Sequence, residues 1–481
     1  MLDLAGALKF LSQDEIKKIN NKSLEILKNI GVEVKNKEVL KLLKQKGVKI
    51  DKDKPIVYLS REVIENALDK APSSVTLYSR DGKNNLHLSG TKVYTGTGGT
   101  AVNIYDLNSG ERRRTRGGDI ANIACLVENL VNIDFFVIPV FPDDFSKENA
   151  DRVRFFNSLL FTNKHIMGGV YGLKGITEVI DFAEKIAGSD KKLREKPFIS
   201  MITSIMSPLK MEEDYTGYLK YIVEKGIPVV APPAPIAGAT SPLTMAGTLA
   251  QMNAEALFGV VLTQLIKPGA KVLYGIVPTT MDLKTSSFRF GSIESGIMNA
   301  AGAQLAQFYN LPIYNTAGVS DSKLPDIETG YEKMANILLS ALAGANFIHD
   351  AAGLIDTGLT VACEQYVIDN EILGMVKKVL QGIDINDERL ALTDIGKVGP
   401  GGNFLTAPTT LKYMRSELYK QDLYNPERWE EWQQKGALSA AEKARKIAKE
   451  IIKKGLKPCL DKKIIADNNL PLIKESIKND R

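Results

Sequence analysis

The sequence predicts an α/β fold organised as a (β/α)8 (TIM) barrel, with a small N-terminal α+β extension and a helical C-terminal extension. Three observations carry that expectation. From Gly226 to Asp350 one unit repeats three times: a short apolar run, a loop of small and polar residues, and a long apolar-periodic helix. Buried β runs that alternate with such helices read as βαβ units on a parallel sheet. Counting back to Val93 adds further runs and brings the total to eight, the number that closes a barrel. Finally, the first strand–helix turn lacks the phosphate-binding glycine pattern of an open doubly wound sheet.

Residues 1–90 form the N-terminal extension. Ser12-Gln13-Asp14-Glu15 is a capping-box pattern, in which the serine and the glutamate three residues on satisfy each other's backbone donors. Ile16, Ile19, Leu27 and Ile30 supply the apolar stripe, and Gly31 ends the helix. Further helices are expected at 37–46 and 61–70, with β-like runs at 56–59, 75–78 and 86–88. The barrel occupies 91–358, with strands expected at 93–96, 135–140, 165–170, 198–204, 227–230, 271–277, 311–316 and 346–350. Pro228 and Pro312 fall at the starts of their runs, where a strand tolerates proline. Asp119 is expected to cap a helix at 120–130. Residues 359–481 read as mainly helical, with long helices at 360–380 and 439–454, and the charged tail 461–481 is expected to dock loosely.

Composition narrows the class. The chain has 481 residues, 44% of them apolar and 25% charged, which is the profile of a soluble globular protein. A net charge of +5 is mild at this length and gives no reason to expect a nucleic-acid partner. The basic run Arg112-Arg113-Arg114-Thr115-Arg116 reads as a solvated polar face. Cys125, Cys363 and Cys459 are scattered, without metal or disulfide spacing, so a reducing, cytoplasmic setting is expected. No basic and apolar leader opens the sequence, and no uninterrupted apolar window reaches the ~18 residues of a spanning helix.

Chemistry is sought at the carboxyl ends of the strands. Only His87, His165 and His349 are present; none has ligand spacing to another His or Cys, so no metal site is expected. His165 opens a strand, at the end that serves stability. His349 ends the last strand, at the functional end; it is either a hydrogen-bonded core residue or a functional one, and its position favours function. Strand alternation puts Phe347 and His349 on one face and Asp350 on the other. Neither glycine-rich stretch, 94–100 or 398–403, is a Walker A or GxGxxG loop. Aromatic residues remain: Tyr94, Tyr171, Tyr274, Tyr314 and Phe347 lie in or just after strands, and Phe288 lies in a following loop. Around a barrel mouth they could cage a quaternary ammonium through cation–π attraction, with Arg289 forking onto a carboxylate.

Several segments resemble the trimethylamine methyltransferase superfamily: Ala71-Pro72-Ser73-Ser74-Val75-Thr76-Leu77-Tyr78-Ser79-Arg80-Asp81, Thr95-Gly96-Thr97-Gly98-Gly99-Thr100, Ala237-Gly238-Ala239-Thr240-Ser241-Pro242, Gly318-Val319-Ser320-Asp321-Ser322-Lys323 and Val398-Gly399-Pro400-Gly401-Gly402. They follow the family's order across residues 10–435. The resemblance implies a (β/α)8 barrel and a corrinoid-dependent methyl transfer. Archaeal trimethylamine enzymes of this family carry pyrrolysine, whereas every residue here is standard. Relatives without pyrrolysine demethylate quaternary amines such as glycine betaine, proline betaine or carnitine. With no Asp-x-His-x-x-Gly cobalamin motif, the corrinoid is expected on a cognate partner protein, and none is held tightly by this chain.

Strand-end position then assigns His349, Tyr94 and Phe347 to the methyl-transfer site, with Tyr171, Tyr274 and Phe288 beside the substrate. Arg289 or Asn315 would meet its carboxylate, and the loops at Thr97, Gly98, Ser241 and Asp321 would face the corrinoid. Two alternatives stay open: a flavin- or phosphate-dependent barrel enzyme using 353–358 as its cradle, and a non-catalytic betaine-binding protein. A symmetric homo-oligomer is the expected assembly.

Overall fold

The computed structural model describes residues 4–455, 457–461 and 464–465. Eight strands form the expected parallel ring: β1 (Tyr94–Thr97), β2 (Phe136–Val137), β3 (Ile166–Gly169), β4 (Ile199–Ile202), β5 (Val229–Val230), β6 (Val272–Ile276), β7 (Ile313–Thr316) and β8 (Phe347–Ala352). Each pairs with its neighbour in sequence, and β8 pairs with β1. A parallel bridge between Gly96 and Phe135 closes the ring. The carbonyls of Pro228 and Pro312, each just before its strand, accept the N–H groups of Met201 and Tyr274; the ladder loses only the donor that proline lacks.

Helices α1 (Gly117–Glu128), α2 (Lys147–Phe161), α3 (Leu173–Ala187), α4 (Glu213–Lys225), α5 (Met245–Ile266), α6 (Ile293–Phe308), α7 (Ile327–Leu342) and α8 (Cys363–Gln381) follow their strands in turn. The first of them starts earlier than the sequence suggests. Asp119 lies inside α1, where its carboxylate accepts the Arg116 N–H, so it closes the first turn from within. The sequence places 359–481 in a C-terminal extension, whereas the helix Cys363–Gln381, α8, packs on α7 and β8 in the barrel's outer layer. α5 is long and apolar enough to cross a membrane by length and composition alone, with mean hydropathy 1.3. Here 78% of that window is buried, as a core helix requires. Most of the charged tail, 466–481, lies outside the described residues.

The N-terminal extension covers the flank at α5. Its capping box forms as read: Ser12 accepts the Glu15 N–H while Glu15 accepts the Ser12 N–H. The helix Gln13–Asn29 lies against α5. A hairpin of Val75–Leu77 and Leu86–Leu88 plugs the amino-terminal end of the barrel. Its four inward apolar side chains join Phe135, Val137, Met167, Leu273, Tyr314 and Phe347 in one buried cluster.

His165 ties that plug to the barrel. Its Nδ1 lies 3.1 Å from the Tyr78 carbonyl and its Nε2 2.7 Å from the Ser200 hydroxyl. A carbonyl only accepts, so Nδ1 carries the proton and Nε2 accepts from Ser200. Burial pushes its pKa down to about 3. A depressed histidine stabilises the fold fully above its unfolded value near 6.5, and that stability drains as pH falls toward the folded value. We expect His165 alone to cost about 2 kcal/mol between pH 6.5 and pH 5. Urea midpoints at pH 7 and pH 5 should converge in His165→Asn relative to the wild type.

Candidate active site

At the carboxyl end of β8 the regular pairing breaks. Phe347 and Ile348 face Tyr94 and Thr95, but Ala352 faces Thr97, so the strand bulges between Ile348 and Ala352. Asp350 adopts φ 63° there, a left-handed conformation that costs a non-glycine residue ~1–2 kcal/mol. A bulge re-aims side chains. Alternation would turn Asp350 away from His349; instead its Oδ2 lies 3.0 Å from His349 Nδ1 and accepts the Thr316 hydroxyl at 2.7 Å. The approach to the imidazole is not aligned as a hydrogen bond. Both ring nitrogens of His349, and Oδ1 of Asp350, are therefore buried without a hydrogen-bond partner. Unsatisfied polar atoms of this kind cost free energy, and they cluster where a protein holds groups in readiness for a ligand.

An aromatic column stands beside this pair. The His349 ring stacks on Tyr314 at 4.0 Å, Tyr314 on Phe347 at 5.7 Å, and Phe347 on Phe135 at 3.5 Å. Burial, and secondarily the Asp350 carboxylate, push the Tyr314 hydroxyl pKa well above its ordinary value, so Tyr314 stays neutral.

Gly98 makes room for the carboxylate. A Cβ there would lie 1.6 Å from Asp350 Oδ1, and one at Gly99 would lie 2.6 Å from the Ile138 carbonyl. The glycines of this stretch serve close approach, not phosphate binding. Gly98→Ala should displace Asp350 at a cost of about 1–3 kcal/mol, read as a lower melting temperature together with weakened amine binding. Across the barrel, a Cβ added at Gly169 would meet nothing within 4 Å; there the mouth is open.

Tyr171 borders that opening, half-buried. The fully buried Arg154 guanidinium lies 5.1 Å from its ring and donates to the Gly169 carbonyl at 2.7 Å. Asp151 accepts the Tyr171 and Gly172 N–H groups, and burial raises its carboxyl pKa. Phe141 meets Tyr171 edge-on at 5.4 Å. These buried partners fix the tyrosine in place.

Other expected site residues fall elsewhere. Tyr94 faces inward but at the closed end, where its hydroxyl accepts the His87 N–H. Tyr274 faces outward, donating to Asn253 at 2.7 Å, because Leu273 is the inward residue of that strand. Asn315 also faces outward and donates to the Asn299 carbonyl of α6. Thr97 bonds the Val137 carbonyl, joining β1 to β2. Ser241 pairs with Thr248 at the head of α5. Asp321 accepts the Phe290 and Gly291 N–H groups, anchoring the ribbon Thr279–Asp282/Ser287–Arg289. Phe288 and Arg289 are exposed on that ribbon, with Asp321 4.0 Å from the guanidinium.

The loop 353–358 is no phosphate cradle. Its N–H groups at Gly353, Asp356 and Thr357 go to Asp369, Ser322 and Ser320, and Asp356 adds negative charge. In the basic run, Arg112 pairs with Asp356, Arg113 with Asp106 and Asp119, and Arg114 with Asp143. Among the described residues no group of three or more His, Cys, Asp or Glu side chains could hold a metal ion.

A closed parallel barrel with a polar, aromatic-walled floor at the carboxyl ends of β7 and β8 has the architecture of a TIM-barrel enzyme. Sequence comparison resolves the class further. The chain belongs to the trimethylamine methyltransferase family, whose profile matches residues 3–470. It is 36% identical over 472 residues to a trimethylamine methyltransferase of Methanosarcina mazei, covering 96% of this chain and 94% of the relative. The trimethylamine methyltransferase of Desulfitobacterium hafniense is 35% identical, covering 95% and 91%. A glycine betaine methyltransferase of Desulfitobacterium hafniense is 32% identical, covering 95% of each. The crystal structure of Methanosarcina barkeri monomethylamine methyltransferase aligns with TM-score 0.48 and 14% identity over 94% of this chain and 96% of that one. The protein is thus a methyltransferase of a family that acts on methylated amines.

Proposed function

We propose that this enzyme removes a methyl group from a quaternary amine, glycine betaine or a close analogue, and passes it to the corrinoid of a cytoplasmic partner protein. The observation that carries this reading is the bulged pair His349–Asp350 on an aromatic floor. A quaternary ammonium neither donates nor accepts a conventional hydrogen bond. What recognises it is negative charge and aromatic faces; Asp350 supplies the first and the half-buried Tyr171 ring the second. Trimethylamine is a poorer fit, because its leaving amine would need activation, whereas a quaternary substrate leaves as a neutral tertiary amine. That suits a mouth without a proton-transfer triad.

The corrinoid, when its carrier docks, supplies the Co(I) nucleophile. This chain's residues hold one N-methyl dehydrated and in line, which is catalysis by positioning. His349 orients the substrate against Asp350 and stands at the face open to the incoming corrinoid. Leu173 at the start of α3, and Met206, Leu243, Phe288, Leu324 and Leu359 in the connections that follow β4 to β8, are exposed. Such an apolar rim fits a protein that brings the macrocycle to the mouth.

The test is anaerobic: the enzyme, Co(I) cobalamin or the cognate corrinoid protein, and a panel of methylated amines. Loss of the Co(I) spectrum with one quaternary amine is the expected result. Turnover of trimethylamine alone would overturn the substrate assignment. Calorimetric binding of a betaine, with no spectral change even with the corrinoid protein, would leave a binding protein.

A further inference from the structure

Charge is unevenly distributed around the barrel mouth. Asp350 puts a carboxylate at the carboxyl end of β8. On the side of β2 and β3 stands Arg154 of α2, a cation with no exposed surface. Its Nη1 donates to the Gly169 carbonyl at 2.7 Å. Its Nη2 donates to the Thr100 hydroxyl at 3.1 Å and to the Ile138 carbonyl at 3.4 Å. All three acceptors are neutral. The one carboxylate paired with Arg154 among the described residues, Asp151, stands 3.9 Å from Nη1 and already accepts the Tyr171 and Gly172 N–H groups. The Nη2 edge, which meets Thr100, holds neutral acceptors alone.

The backbone carries Thr100 to that edge. Gly98 lies against Asp350, Gly99 lies against the Ile138 carbonyl, and Ala101 bridges to Val140. The segment 98–101 thus runs along the rim from the anionic side to the cationic one. Two residues of chain span at most ~7 Å, a distance that one small zwitterion bridges. Thr100 is half-buried. A hydroxyl that accepts from a guanidinium keeps its own proton to donate, and among the described residues nothing accepts that proton.

We infer that, on the quaternary-amine reading given above, the Thr100 hydroxyl anchors a carboxylate carried by the substrate and so selects a zwitterion over a plain methylated amine. With the ammonium at Asp350 and the carboxylate at Thr100, each pole of the substrate faces the opposite charge. Tetramethylammonium or trimethylamine uses the anionic side only. A carboxylate accepting from Thr100 stands ~6 Å from the guanidinium, where attraction at an effective dielectric of ~20 amounts to a factor of ~100 in affinity. Arg154, fully buried, acts through the threonine and is a positioning residue.

Calorimetric titration of the full chain with glycine betaine and with tetramethylammonium tests this. The wild type should bind glycine betaine the more tightly. Thr100→Val keeps the shape and removes the hydroxyl. It should weaken glycine betaine by ~10–100-fold, the range for losing a hydrogen bond to a charged group, and leave tetramethylammonium unchanged. Thr100→Ser should retain the preference. Arg154→Met, with folding checked by its melting curve, should lose it; Thr100→Val decides the matter if that variant does not fold. In turnover with the corrinoid protein the Thr100→Val loss should fall on KM, with kcat held, because the carboxylate is remote from the methyl that moves. Equal weakening of both ligands, weakening of neither, or a wild type that prefers tetramethylammonium would overturn the inference and leave the quaternary-amine reading standing. A wild type that binds neither ligand would sink that reading, and this inference with it.

Discussion

Asp350→Asn should weaken quaternary amine binding by ~100-fold while leaving kcat equal or higher. Asparagine keeps the shape and tolerates the left-handed backbone of residue 350, so the variant isolates the charge. A carboxylate ~6 Å from an ammonium contributes about 3 kcal/mol at an effective dielectric of ~20. That attraction acts on the ground state, because the substrate's positive charge disappears as the methyl leaves and the amine becomes neutral. An interaction stronger in the ground state than in the transition state lowers KM without raising kcat. Calorimetry of the amine and single-turnover kinetics with the corrinoid protein separate the two quantities. A fall in kcat with unchanged affinity would move Asp350 from binding to positioning of His349.

Lys333→Met should destabilise the fold by 3–5 kcal/mol, the range for breaking one side of a buried pair. Lys333 and Asp369 are fully buried, 3.1 Å apart. The lysine donates to the Gly318 carbonyl and Asp369 accepts the Gly353 N–H at 2.7 Å. One strut therefore joins α7, α8 and the loops that leave β7 and β8, next to the candidate site. Burial raises the Asp369 pKa while Lys333 opposes that rise; without the lysine the carboxyl would have to protonate or stay charged in an apolar interior. Replacing both, as Lys333→Met with Asp369→Leu, should recover part of the loss in urea denaturation, since two apolar groups leave no charge behind. An additive double variant would show that the pair is not coupled.

Much of the architecture is legible in the chain, and most of the candidate site is not. Buried runs alternating with periodic helices are local signals, and they place all eight strands. The place of His349 at the carboxyl end of β8 is legible because it follows from strand order alone, whatever its neighbours. Tyr274 and Asn315 mislead because a barrel strand is buried on both faces, leaving no hydrophobic alternation to say which side is inward. Tyr94 lies on the inward face but at the end plugged by the hairpin Val75–Leu77/Leu86–Leu88, whose seat against Phe135, Met167, Leu273 and Phe347 is set only when the barrel closes. The burial of Lys333 and Arg154 is not legible at all, since nothing adjacent in sequence announces Asp369 or the Gly169 carbonyl as a partner.

Asp350 is the sharpest case. Strand parity sends it away from His349, and only a bulge set by pairing with β1, with Gly98 clearing the space, brings the two together. The sequence by itself determined the number and order of strands and helices, the end of the barrel where chemistry resides, and membership of a methylated-amine methyltransferase family. Tertiary structure alone decided which side chains share the mouth. Element formation depends on neighbours a few residues away, whereas facing, register and bulges depend on partners brought close only when the barrel closes.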